Sequence, residues 1–121
     1  MRLNKIQKIA VSALEDIKAR DITVLDVRKL TSLYDTMIVA TAESNRQVNA
    51  LAFHVRDALK AAGANIVGVE GEQTGEWVLV DAGEIVVHVM QPAVRAYYNL
   101  EELWSLPVAG RRAKPPLPAA A

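Results

Sequence analysis

The fifteen residues from Glu76 to Met90 read EWVLVDAGEIVVHVM, two apolar runs joined through Asp81-Ala82-Gly83-Glu84. Runs of β-branched residues on either side of a Gly-containing break predict a β-hairpin. With Ala82-Gly83 as a two-residue turn, Asp81 lies opposite Glu84, Leu79 opposite Val86 and Trp77 opposite His88. Side chains alternate along a strand, so one face becomes Val78, Val80, Ile85, Val87 and Val89, a β-branched core surface. The other becomes Trp77, Leu79, Asp81, Glu84, Val86, His88 and Met90, which mixes apolar, acidic and titratable groups. A four-residue turn leaves this partition unchanged, whereas a three-residue turn scrambles it. The mixed face has two readings. One is a protein interface, with Trp and Met area inside a polar rim. The other is a sheet face covered by the helix that follows, with Trp77 and His88 packed under Tyr97 or Tyr98.

Around this hairpin the elements follow from local pattern. Leu3, Ile6, Ala10, Ala13, Leu14 and Ile17 keep helical spacing and predict a first helix from about Leu3 to Arg20, with Asn4 and Gln7 as a capping box. DITVLDV (Asp21 to Val27) reads as a strand, KLTSLYD (Lys29 to Asp35) as a loop and TMIVATA (Thr36 to Ala42) as a second strand. SNRQ (Ser44 to Gln47) has capping-box spacing. The helix after it buries Val48, Leu51, Ala52, Val55, Leu59 and Ala62, leaves Phe53 part-exposed and ends at Gly63. NIVGVEG (Asn65 to Gly71) is a third strand and EQTG a turn. Pro92 opens a third helix at its first position, and Asn99 with Glu102 has the spacing of a further capping box. The resulting order, α-β-β-α-β-β-β-α, predicts an α/β protein. Its mixed five-stranded sheet has helices packed on it and some parallel pairing across the second helix.

The 121 residues suffice for one domain with a core, and 51% of them are apolar. The Pro- and Ala-rich end has no apolar period, so residues 1–106 are expected to form the domain and 107–121 a disordered tail. The absence of Cys excludes disulfides, thiolate metal sites and a Cys nucleophile. The first residues lack the unbroken apolar core of a signal peptide, and no run approaches the length of a membrane span, so the expected location is cytoplasmic, with no membrane partner. Net charge is zero. Its distribution is uneven: no Lys or Arg occurs between Ala61 and Val94, while Glu70, Glu72, Glu76, Asp81 and Glu84 do. Such a ribbon repels nucleic-acid phosphate and attracts a basic protein, unless it is an ordinary solvated face. Arg111, Arg112 and Lys114 in the tail are either a nucleic-acid contact or idle.

Catalytic patterns are missing. The two histidines, His54 and His88, do not form H-E-x-x-H; there is no G-x-S-x-G, P-loop or G-x-G-x-x-G. Asp26 and Asp35 are the carboxylates that a metal-dependent reaction would draw on, and they form no D-x-D pair. The expectation is no enzyme, no cofactor and no metal.

The segments DITVLDV, YDTMIVATAESNRQV, GVEGEQTGEWVLVDAGEIVVHVM and YYNLEELW, in this order and spacing, resemble the ribosomal silencing factor family, RsfS or Iojap, from the first helix to Trp104. The family pattern W-V-x-x-D-x-G-D-x-x-V-H falls on Trp77, Val78, Asp81, Gly83, Glu84, Val87 and His88, with Glu84 where Asp is usual. A second pattern falls on Asp35, Ile38, Val39, Ala40, Thr41, Ser44, Arg46 and Gln47. Ala42 stands there in place of Gly and would be strained if that position needs a positive φ. A third falls on Tyr98, Leu100, Glu101, Leu103 and Trp104. The resemblance implies a fold similar to the nucleotidyltransferases without their catalytic carboxylates. It also implies binding to the large ribosomal subunit through its protein uL-fourteen, which blocks joining of the small subunit and represses translation in starvation. A homodimer is implied for the free protein. On that footing the partner-binding residues are Trp77, Leu79, Asp81, Glu84, Val86, His88, Met90 and Tyr98. The alternatives are a degenerate nucleotidyltransferase-like enzyme using Asp26 and Asp35, or a structural homodimer that buries the mixed face against itself.

Overall fold

The two strands with every side chain buried are β2 (Thr36–Thr41) and β5 (Ile85–Met90), and they pair in parallel at the centre of the sheet. A strand buried on both faces reads as a continuous apolar run, as TMIVAT and IVVHVM do. In the computed structural model, which describes residues 2–99, the remaining elements are α1 (Arg2–Asp16), β1 (Arg20–Asp26), α2 (Asn45–Ala61), β3 (Gly68–Glu70), β4 (Trp77–Asp81) and α3 (Pro92–Tyr98). The sheet order is β1-β2-β5-β4-β3, with every pair antiparallel except β2 and β5. This is the mixed five-stranded α/β sheet expected. The parallel partner of β2 is β5 rather than β3, because the β4–β5 hairpin fills the gap that α2 spans on its way to the far edge.

Two cores result. On one face Ile38, Ala40, Val78, Val80, Val87 and Val89 meet α1 and α2, which contribute Leu14, Leu51, Val55 and Leu59 among others. On the other, Met37, Val39, Trp77, Leu79, Val86 and Met90 lie under Val27 and Val94, with Leu25, Tyr34 and Tyr98 at the margin. The hairpin pairs Trp77 with Met90, Leu79 with His88 and Asp81 with Val86. Ala82 and Ile85 flank its turn, the Ala82 N–H donating to the Ile85 carbonyl, which leaves Gly83 and Glu84 as the turn residues, one position beyond the expected Ala82-Gly83. Moving the turn by one residue shifts every pair by two, so the face partition holds while the individual pairs change.

Both long helices stop with the same hydrogen bonds. In α2 the Gly63 N–H donates to Lys60 O and the Ala64 N–H to Leu59 O, with Gly63 at φ 93°. In α1 the Lys18 N–H donates to Glu15 O and the Ala19 N–H to Leu14 O, with Lys18 at φ 59°. This is the Schellman arrangement, which favours Gly at the left-handed position. The apolar period alone runs on to Arg20, but the turn at Lys18 ends α1 sooner and lets β1 begin there. Asn4 lies inside α1 rather than ahead of it, where a capping residue would stand. Ser44 does cap α2, its Oγ accepting from the Gln47 N–H, while Gln47 Oε1 accepts from the Glu43 N–H. Ala62 is exposed, one residue past the buried stripe, and Phe53 is half-buried as expected. Ala42 lies in the core without a positive φ, so the Ala at this position brings no backbone strain. β3 is shorter than expected: residues 65–67 stay outside the strand, and at its other end Gly71, at φ 92°, turns the chain past Trp77, whose carbonyl a Cβ there would strike. The helical spacing after Asn99 and the 107–121 tail lie outside the described residues.

Replacing Lys18 with Gly removes a left-handed penalty of roughly 1–2 kcal/mol, part of which is returned by the greater freedom of unfolded Gly. The expected net gain is about 0.5–1 kcal/mol, read as a higher urea midpoint at unchanged slope. A lower midpoint would show that the lysine side chain does more for the native state than its backbone costs.

Candidate protein-docking surface

Trp77 enters from β4 with its ring fully buried, and its Nε1–H donates to His88 Nδ1 at 2.9 Å. The two residues are diagonal neighbours in the hairpin register. Indole nitrogen can only donate, so His88 Nδ1 accepts and the imidazole carries its proton on Nε2. Tyr98 of α3 lies against Trp77 with ring centroids 4.9 Å apart, and Tyr97 meets Tyr98 edge-on at 5.0 Å. Tyr97 is 76% exposed. A line of aromatic rings thus runs from buried His88 through Trp77 and Tyr98 to the surface at Tyr97.

Asp81 stands at the end of β4. One of its carboxylate oxygens accepts from the Gly83 N–H at 3.0 Å, and the other accepts from the Tyr34 hydroxyl at 3.2 Å. The first bond shapes the hairpin loop and the second ties it to the β1–β2 loop. Burial pushes the Tyr34 hydroxyl up to about 12; the negative charge of Asp81, the bond donated to it and the charge of Glu70 act in the same direction.

The expected partner-binding residues therefore divide. Asp81 and Tyr98 are half-buried and Glu84 is exposed in the hairpin loop. Trp77, Leu79, Val86, His88 and Met90 are at most 2% exposed. The covered-face reading describes these five: Val94 and Tyr98 lie over Trp77 and its neighbours, so they support the rim from beneath rather than offering contact area. The Asp81–Glu84 opposition is also corrected. Asp81 faces Val86, Glu84 sits in the loop, and no like-charge pair forms across the strands. One residue of this surface was missed by pattern reading. Tyr34 sits in a loop with no periodicity, although its place next to Asp35 in YDTMIVATA was a signal.

The residues considered for catalysis are engaged elsewhere. Arg28 hydrogen-bonds the exposed Asp26 carboxylate and holds it at about 2. The Asp35 main chain accepts from the Val27 N–H and donates to the Glu84 carbonyl. His54 lies 3.2 Å from Asp16 and bridges α2 to α1. Among the described residues no three His, Asp or Glu side chains converge on a point that could hold a metal. A cavity of about 270 Å³ between Ile6 and the hairpin loop is lined by Asn65 and Glu84 and otherwise by apolar and backbone groups.

Two measurements check this geometry. Trp77→Ala empties a buried indole site and is expected to cost about 3–5 kcal/mol. Trp77→Phe, which keeps a ring but removes the donor to His88, should cost about 1–3 kcal/mol. A Trp77→Ala melt at the wild-type midpoint would put the ring outside the core. Tyr34 has a folded value above its ordinary 10. Its contribution to stability is therefore complete below pH 10 and is lost as pH rises through about 12. Tyrosinate absorbance should show a late component there that disappears in Tyr34→Phe.

Comparison with known proteins places the chain. Residues 1–118 match the family model described as ribosomal silencing factor during starvation. A ribosomal silencing factor RsfS from Chromobacterium violaceum is 62% identical over 104 residues, which are 86% of this chain and 85% of that protein. A crystal structure of a protein from the same species superposes with a TM-score of 0.84 at 57% identity, covering 100% of this chain and 95% of that one. A mouse protein named for mitochondrial assembly of the ribosomal large subunit is 33% identical over 99 residues, 79% of this chain and 43% of its own length. The chain belongs to the ribosomal silencing factor family, RsfS, to which the Iojap proteins are also similar.

Proposed function

We propose that this protein represses translation by docking on the large ribosomal subunit and blocking small-subunit joining. The docking partner is the ribosomal protein uL-fourteen, and the docking surface is the rim of the α3-covered sheet face. The observation that carries the reading is the chemistry of that rim. Asp81 and Glu84 belong to a segment without a single Lys or Arg, Tyr34 is hydrogen-bonded to Asp81 at one end of β4, and the ring line that starts from Trp77 at the other end of β4 reaches the surface at Tyr97. Ribosomal proteins are basic because they lie on RNA, and an acidic rim with exposed aromatic rings complements such a surface in charge and in contact area. The carboxylate of Asp81 is already held by Gly83 and Tyr34, so little ordering entropy remains to be lost on binding. The name of the mouse relative supports a large-subunit partner.

The protein acts in this reading by occupancy, without a chemical step or a cofactor, in the cytoplasm where ribosomes work. Family resemblance supports a homodimer for the free form. The enzymatic alternative has less to stand on, since the Asp26 carboxylate is tied to Arg28.

The test is co-sedimentation with purified large subunits, followed by addition of small subunits. Asp81→Asn suits it better than a charge reversal, because its Oδ1 can still accept from the Gly83 N–H while its Nδ2 can donate to the Tyr34 hydroxyl oxygen. Wild type should bind and prevent joining; Asp81→Asn should bind about tenfold more weakly at low salt, with the difference shrinking as salt rises. Equal binding by both would move the contact away from this rim. Failure of wild type to bind large subunits would remove the silencing reading altogether.

A further inference from the structure

α3 is seven residues long, and Val94 is its buried side chain. A helix this short does not hold itself together in water. It nevertheless carries Tyr97 and Tyr98, the rings that cover Trp77 and reach the surface. The Gln91 side chain makes no capping hydrogen bond to the helix but donates to Asn45 Oδ1 and to the Gly75 carbonyl, so the start of α3 is anchored while its far end, which carries Tyr97 and Tyr98, needs a hold of its own.

Arg95, at the middle of α3, reaches the other way across the sheet. Its guanidinium donates to Thr41 Oγ1 of β2 at 2.7 Å, to Thr23 Oγ1 of β1 at 3.0 Å and to the main-chain carbonyl of Asp21. The register of β1 against β2 shifts between Arg20 and Thr23, and Asp21 sits in that irregularity at φ 51°. The bulge turns the Asp21 carbonyl out of the ladder and makes it available as an acceptor. One planar fork can meet three separated acceptors on two strands, which an ammonium on a flexible stem cannot do in one geometry.

We infer that Arg95 is a positioning residue for docking: it fixes α3 to the β1 bulge and so presents Tyr97 and Tyr98 in the arrangement the large subunit recognises. This rests on the docking reading above. It adds to that reading a control point on the opposite edge of the sheet from Asp81, two strands from the hairpin it serves. Without the tether α3 samples undocked positions, and the apparent dissociation constant rises by the reciprocal of the docked fraction.

The experiment uses the full chain with Arg95→Met, Arg95→Lys, Thr23→Val and Thr41→Val. Binding to purified large subunits is measured for each in the natural background. The emission of Trp77 is measured in a Trp104→Phe background, which leaves one indole of the two in the chain. Arg95→Met should keep a cooperative thermal transition, shift Trp77 emission to the red as Tyr98 leaves it, and bind about tenfold more weakly, as for a docked fraction near one tenth. Arg95→Lys keeps the charge and loses the fork, so it should recover less than half of that loss. Thr23→Val and Thr41→Val each remove an acceptor while keeping a β-branched strand residue, and should weaken binding in the same direction; they decide the matter if Arg95→Met does not fold. Wild-type binding by Arg95→Met or by both Thr variants overturns the inference, as does full rescue by lysine, which would leave charge alone as the cause. If wild type does not bind large subunits, the docking reading fails by itself. Trp77 emission then still decides whether Arg95 holds Tyr98, and an unchanged spectrum in Arg95→Met would refute that.

Discussion

Everything in this fold follows from burying β2 and β5 on both faces. A parallel pair at the centre of the sheet leaves no side chain of either strand in water, so two separate covers are needed. The first is ample: α1 and α2, of 15 and 17 residues, lie across one face with regular apolar stripes. The second, among the described residues, is meagre, a helix of seven residues and a loop. A thin cover succeeds because the face beneath it carries its own large group. Trp77 fills the space, and its single polar atom is satisfied within the layer by His88. A buried polar group costs free energy unless it is paired, and here the indole N–H is paired with His88 Nδ1 inside the layer.

That arrangement explains why the hairpin looks like an interface and is core. Trp, His and Met on a strand face carry the composition of a docking surface. Composition does not say whether the covering surface belongs to another protein or to the next seven residues of the same chain. In this molecule α3 is that cover. What stays accessible is its margin, with Asp81 and Tyr34 at one end of β4 and Tyr97 and Tyr98 at the other. The proposed site therefore lies one layer outward, from the residues that fill the face to those that hold its cover in place.

The elements with a local physical cause were legible in advance. Ser44 and Gln47 cap α2 because their side chains reach orphan N–H groups within one turn. Gly63 ends α2 because the left-handed turn there suits a residue without Cβ. The partition of the hairpin into two faces followed from alternation and survived an error in the turn, since a two-residue slip preserves parity. Local signals failed where the cause is distant. Nothing around Lys18 marks it as a helix terminus, because Lys is not the residue that favours a positive φ. Neither Tyr34 nor Arg95 shows a pattern, since their partners Asp81, Thr23 and Thr41 lie far away in sequence.

The sequence by itself determined the helices and strands, the two faces of the hairpin and, through motifs in fixed order, the family. These rest on backbone propensity, side-chain periodicity and spacing, all properties of neighbours along the chain. Only the tertiary structure decided that β5 inserts beside β2, that the Trp77–His88 layer is closed off by α3, and that a β1 bulge supplies the acceptor for Arg95. Each of these depends on which distant segment arrives to cover an apolar face or meet a polar group, and that is set by packing the whole chain at once.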